Sequence, residues 1–307
     1  MLGYTFRRLL SFIPLLWAVA TVTFLLMHAV PGGPFDAGPR PLRASTIEAL
    51  EQKYDLDGSL GKQYLSFMGG LLQGDFGLSF QRNVPVTELI EARYLTTLQL
   101  GMSAFAFALV AGVSLGILAA IYQNTIIDHL SVSVATVGVA VPSFVLAVFL
   151  VVVFSLKLDW FDVIGWEMWN PRKMVLPTVS LGLFSLAFIA RITRAAMLET
   201  LHDDYIRTAR AKGLKERQLV IRHAVRNSMI PVLTLLGPVL ATFITGSFII
   251  EKTFSIPGIG TLFVDAVGGR DYGVIMGTTL LYAFAVAVMN LLVDLSYGLV
   301  DPRVRYS

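Results

Sequence analysis

The sequence predicts an all-α integral membrane protein with six transmembrane helices, and three observations carry that expectation. Of the 307 residues, 55% are hydrophobic and 15% charged, and the mean hydropathy of +0.69 lies well above that of an ordinary water-soluble domain. Six stretches, 9–35, 94–127, 129–156, 174–190, 227–250 and 272–293, contain no Asp, Glu, Lys or Arg. An ionised side chain near the bilayer centre costs about 2.5–3.5 kcal/mol, so charge-free runs of roughly 20 residues mark the spans. The charges collect between the runs. This composition excludes a soluble enzyme, and the small excess of 24 basic over 21 acidic residues gives no support to a nucleic-acid partner. With no cysteine there are no disulfides, thiolate metal sites or cysteine nucleophiles.

The first unit, 1–35, holds Arg7 and Arg8 ahead of an apolar stretch that runs to Val30. That stretch is too long for the apolar segment of a signal peptide, so it reads as an uncleaved span, stopped by Pro31-Gly32-Gly33-Pro34. Segment 36–93 is rich in turn residues and holds two short helical patterns. Ser45 with Glu48 fits a capping box for a helix to about Tyr54. Leu60, Tyr64, Phe67, Met68 and Leu71 recur at helical spacing, which predicts an amphipathic helix on the membrane surface or on the bundle. As a whole the segment suits a structural lid or a docking surface for an external partner.

The remainder, 94–307, forms a five-helix transmembrane core. The fourth run is the shortest and is expected to extend past Arg191 by snorkelling. Pro142 and Ser143 interrupt the third. Twelve Lys and Arg (Arg7, Arg8, eight between Arg194 and Arg226, Arg303 and Arg305) fall on one side, against Lys157, Arg172, Lys173 and Arg270 on the other. The positive-inside bias therefore places both termini in the cytoplasm and 36–93 outside.

No nucleotide-cradling G-x-x-x-x-G-K-[ST] or zinc-binding H-E-x-x-H motif is present, and the four histidines are scattered. Acidic residues reach the spans only at their edges, at Glu251 and Asp294, so an ion-coupled carrier would lack its buried carboxylates. Asp294 is expected to pair with Arg191 or Arg194. The segment between the fourth and fifth runs is the most informative. Asp203 and Asp204 open a short helix favourably against its dipole. Ala209 and Gly213, four apart below Tyr205, offer a small-residue face amid Arg207, Arg210, Lys212, Lys215 and Arg217. That pattern suits a soluble partner, and composition alone also suits a positive-inside anchor.

In order along the chain, RRLLSFIPLLWAVATVTFLLMHAVPGGPFD (7–36), GDFGLSF (74–80), QNTIIDH (123–129), VPSFVLA (141–147), RITRAAMLE (191–199), DDYIRTARAKG (203–213), EKTFSIPGIGTLFVDAV (251–267), RDY (270–272) and LVDPRVRY (299–306) stand out. Together they resemble the inner-membrane permease subunits of binding-protein-dependent ABC importers, within the oligopeptide/dipeptide/nickel branch. The length, the Arg-Arg start and the long 36–93 segment are most similar to the B-type oligopeptide subunits.

The resemblance implies the type I ABC importer permease fold, a bacterial cytoplasmic-membrane location, and a homologous second permease. It also implies two ATP-binding subunits that hold ATP and Mg, no cofactor or metal in this chain, an extracytoplasmic substrate-binding protein, and a peptide substrate, most simply oligopeptides. Asp204, Tyr205, Ile206, Arg207, Thr208, Ala209, Arg210, Ala211, Lys212 and Gly213 would then form the helix that couples to the ATPase. The motif departs from the wider superfamily, whose Glu-Ala-Ala is replaced by Arg207-Thr208-Ala209, with Asn227 near the place of the usual Pro and the Pro itself at Pro231.

For the pathway, Pro238, Thr242, Thr245 and Ile249 fall at helical spacing with Gly246 beside them, and Pro142 and Ser143 break the third span. These residues suit helix packing and pathway lining equally. Dipeptides, nickel chelates or glycosides are alternative cargoes. A stand-alone secondary transporter or channel, and then an intramembrane enzyme, are the other function classes.

Overall fold

The computed structural model describes residues 2–35, 44–53 and 56–300. Among these the ordered elements are helical. Helix α1 (Leu2–Ala29) ends just before Pro31, as the Pro-Gly stretch predicts. Helices α2 (Ala44–Lys53) and α3 (Leu60–Leu72) follow. Ser45 lies inside α2 rather than at its N-cap, because the helix already begins at Ala44. The apolar stripe of α3 is turned onto the bundle, with Tyr64 and Phe67 packed against Phe24, Met27 and Met276. Its polar side chains also tie it there: Tyr64 Oη and Thr21 Oγ1 are 2.8 Å apart, and His28 Nε2 lies 3.1 Å from Gln63 Oε1.

Helix α4 (Val86–Ile121) starts well before the charge-free run, and α7 (Pro171–His202) continues past Arg191 as expected. The two pack along one another through a stripe of small residues, Ala104, Ala108, Gly112 and Gly116, against Leu186, Ile189, Ala190 and Thr193. A Cβ at Gly112 would stand 2.9 Å from the Leu186 carbonyl oxygen, and one at Gly182 would stand 2.8 Å from the Phe107 ring. Without a hydrophobic drive between helices in lipid, this closeness is how they gain cohesion.

The third run is not one straight span. Helix α5 (Ile126–Ala140) and helix α6 (Ser143–Leu150, prolonged by a π-helical turn to Lys157) meet at 111°. Pro142 has no N–H to continue the ladder and forces Val141 into extended backbone (ψ 122), so the chain turns there. Five described helices are long and apolar enough to cross a membrane, six if the bent pair counts as one.

After α7 come α8 (Asp204–Ala211), α9 (Glu216–Leu219) with a π-helical turn at Val220–Ala224, and α10 (Val225–Ile244). Helix α10 ends short of the predicted Ile250, because Gly246 takes a left-handed φ of +79. Ile249 therefore belongs to α11 (Phe248–Thr253) and does not extend the Pro238/Thr242/Thr245 face. Helices α12 (Ile259–Gly268) and α13 (Tyr272–Val300) complete the described residues. Asp294 pairs with Arg8, and Arg194 pairs with Asp128 at 2.7 Å. The expected bond of Asp294 to Arg191 or Arg194 is replaced because α13 packs beside α1 while α7 packs beside α5.

Candidate functional site

At the end of the bundle where α4 and α7 finish, α8 is seated on the helix tips. Asp204 in its first turn and Arg210 in its last both favour the helix dipole. Ile206 is fully buried among Ala120, Met197, Leu219 and Ala224, and Ala209 packs partly against the same cluster. The expected outward face of Ala209 with Gly213 is thus corrected. Ala209 turns inward, and Gly213 lies beyond the helix, where its φ of +82 reverses the chain and a Cβ would meet nothing within 4 Å. Left outside are Asp204, Tyr205, Arg207, Thr208, Arg210, Ala211 and Lys212.

Two polar braces fix the pose of α8. Asn227 Nδ2 donates to Tyr205 Oη at 2.7 Å. Arg210 forms a fork on Glu216, at 2.6 and 3.3 Å, which raises the guanidinium above its ordinary pKa by hydrogen bonding to the carboxylate. A looser pair joins Arg207 to Asp204 at 3.7 Å. The result is a short helix with a sealed inner side and an unencumbered outer one.

The pathway candidates are not drawn together by any hydrogen bond among the described residues. Pro142 is exposed at the N-cap of α6 and Ser143 half-buried in its first turn. Thr242 is exposed, and its hydroxyl donates back to the Val239 carbonyl at 2.7 Å. Thr245, at the C-cap of α10, donates to the carbonyls of Ala241 and Thr242 at 3.4 and 3.2 Å. Both hydroxyls are therefore spent as donors on their own helix and offer only acceptor capacity. Gly246 is a packing position, since a Cβ there would press on Thr97 and come 3.0 Å from Glu251 Oε1.

Sequence reasoning did not anticipate the polar knot around Glu251. This side chain, at the opposite end of the bundle from α8, is completely buried. Thr97 Oγ1–H donates to its Oε1 at 2.9 Å, and the Gly260 and Thr261 amides donate to Oε2 at 2.7 and 3.3 Å. Thr97 Oγ1 in turn accepts from the Ile259 amide at 2.8 Å. One carboxylate thus fastens the α11–α12 hairpin to α4. Asp271 plays a parallel role, accepting from Ser79 Oγ and from the Phe80 amide at 3.1 Å, so that the 74–83 segment is held to the start of α13. The sequence signal is a Glu followed by a Pro-Gly-Ile-Gly loop whose bare amides can turn inward.

Residues 1–101 match the N-terminal family of binding-protein-dependent transport system membrane components, and residues 112–306 match the family described as "Binding-protein-dependent transport system inner membrane component". The chain is 40% identical to the dipeptide transport system permease protein DppB of Bacillus subtilis (strain 168), over 99% of this chain and 98% of that protein. It is 41% identical to the oligopeptide transport system permease protein OppB of Haemophilus influenzae, over the full length of both. In fold it is similar to a solved chain of the inward-facing MetNI methionine ABC transporter, with a TM-score of 0.57 at 18% identity, covering 70% of this chain and 97% of that one. Five or six candidate spans, a helix seated on the tips of two of them and two full-length relatives lead to one assignment: the chain belongs to the inner membrane components of binding-protein-dependent ABC importers, as a multi-pass permease subunit.

Proposed function

We propose that this permease subunit carries peptides across the membrane, pairing with a second, homologous permease and drawing its energy from two ATP-binding subunits that dock on α8. ATP and Mg are held by those subunits and not by this chain. A substrate-binding protein delivers the peptide from outside, both termini and α8 face the cytoplasm, and 36–93 faces out. The dipeptide and oligopeptide relatives support the cargo class. The observation that carries the coupling role is the build of α8: Ile206 anchors it, Asn227 and Glu216 brace it, and nothing in the described chain covers its outer face.

Pro142, Ser143, Thr242 and Thr245 are proposed to line the passage with their counterparts on the second permease. Few fixed charges lie there, which suits a cargo of varied side chains, since each ionic site would favour one cargo and trap it. Thr208→Trp places bulk on the outer side of α8 without touching its core. It should leave membrane insertion intact, abolish peptide uptake and weaken co-purification of the ATP-binding subunits. Uptake at the normal rate would reduce α8 to a topological anchor.

A further inference from the structure

Four cations gather where α9 runs into α10. Lys215 precedes α9, Arg217 lies within it, Arg222 sits on the π-helical turn and Arg226 in the first turn of α10. With Gln218 and Ile221 they line an open cavity of about 690 Å³. All four are exposed, and among the described residues none forms an ion pair; Glu216, between them in sequence, is taken by Arg210. Self-repulsion of this kind calls for an anion, and the forked donors of three arginines match phosphate oxygens.

The same face continues as hydrocarbon. Arg226, Ile230 and Leu233 share one side of α10, with Arg222 a turn before them. Ile230 is 57% and Leu233 56% exposed. Farther along, the face closes where Gly237 meets Val293 of α13. Pro238 and Thr242 lie between roughly a third and two-fifths of a turn away around the helix, so this stripe is distinct from the proposed passage. A free phosphate would leave Ile230 and Leu233 bare, and an acidic soluble protein has no reason to follow them into an apolar span. An anionic headgroup joined to an acyl chain uses both ends.

We propose that this groove binds an anionic phospholipid, its phosphate held by Lys215, Arg217, Arg222 and Arg226 and one acyl chain laid along Ile230 and Leu233. The bound lipid would hold the α9–α10 junction at the interface, independently of which cargo is carried.

The test uses the assembled transporter, delipidated in detergent and examined by native mass spectrometry after addition of phosphatidylglycerol, phosphatidylcholine or inorganic phosphate. Phosphatidylglycerol should be retained in preference to phosphatidylcholine and should resist millimolar phosphate. Arg222→Gln with Arg226→Gln should weaken retention about 30-fold, corresponding to about 1 kcal/mol for each cation. Arg222→Lys with Arg226→Lys should keep most of it, and Lys157→Gln with Arg172→Gln, exposed at the other end of the bundle, should leave it unchanged. Retention is read on material that still co-purifies its partners. Should the Gln pair fail to assemble, Ile230→Asn with Leu233→Asn carries the test, with weakened retention expected. Unchanged retention in either pair, equal retention of phosphatidylcholine, or full displacement by phosphate would each overturn the proposal. So would efficient cross-linking of Ile230→Cys to the second permease, because protein would then cover the face.

Discussion

Replacing Glu251 by Leu should release the α11–α12 hairpin from α4. The substitution removes the only acceptor among the described residues for two buried donors, Thr97 Oγ1–H and the Gly260 amide, and for the more open Thr261 amide. A buried donor left unpaired costs about 1–3 kcal/mol, so the two buried ones cost about 2–6 kcal/mol. Taking a carboxylate out of a fully buried site returns some desolvation energy, which places the net effect in the lower half of that range, at about 2–4 kcal/mol. Glu251→Gln keeps one oxygen and sets its NH₂ against a donor, so it should fall between wild type and Leu.

The natural absence of cysteine gives a clean assay. Ile256, fully buried in the hairpin, becomes Ile256→Cys, and the rate of maleimide labelling in detergent reports hairpin opening. At tenfold per 1.36 kcal/mol, Glu251→Leu should raise that rate by about 30- to 1,000-fold. Labelling within threefold of Ile256→Cys alone would refute the clamp.

Other outcomes follow from the same geometry. Arg194→Ala strands the nearly buried Asp128 and should destabilise the protein by about 2–4 kcal/mol, less than a fully buried pair because Arg194 keeps some water; removing both partners should cost less than removing Arg194 alone, measured as thermal unfolding in detergent. Gly112→Leu should separate α4 from α7, since even a Cβ meets the Leu186 carbonyl at 2.9 Å, and should lower the unfolding midpoint far more than Gly69→Leu, whose Cβ meets nothing within 4 Å. For topology, Ser255→Cys should react with an impermeant thiol reagent in intact cells, and Thr208→Cys only after permeabilisation; the reverse would invert the orientation. Ser79 is a poor reporter, because its side chain is buried against Asp271.

Hydropathy made the spans readable because ionised groups are expelled from hydrocarbon whatever the packing, and the stops at Pro31 and Pro142 are backbone chemistry that a residue name carries with it. What stayed illegible depends on partners distant in sequence or on a single dihedral. Thr97 and Glu251 are 154 positions apart, so the loop that follows Glu251 gives no sign of the α4 partner to which it is clamped. The run 227–250 remains apolar through Gly246, and hydropathy does not register a left-handed turn. For the same reason Ala209 and Gly213, one helical turn apart in sequence, do not share a face, since the helix has ended before Gly213. Asp294 had several basic residues within plausible reach, and only the packing of α1 on α13 selects Arg8.

These contacts divide the molecule into parts that must move together and parts free to bend. Ile206 seats α8 on the tips of α4 and α7. The close approaches at Gly112, Gly116 and Gly182 leave those two helices no slack to slide. Thr97 and Glu251 then fix the α11–α12 hairpin to the far part of α4. Packed interiors transmit displacement rather than absorb it, so a load applied at α8 reaches the hairpin through one continuous body. The departures from regular helix that lie outside these contacts are at Val141–Pro142 and at the π-helical turn Val151–Lys157. A bend in this subunit costs least at those points, where backbone hydrogen bonding is already irregular.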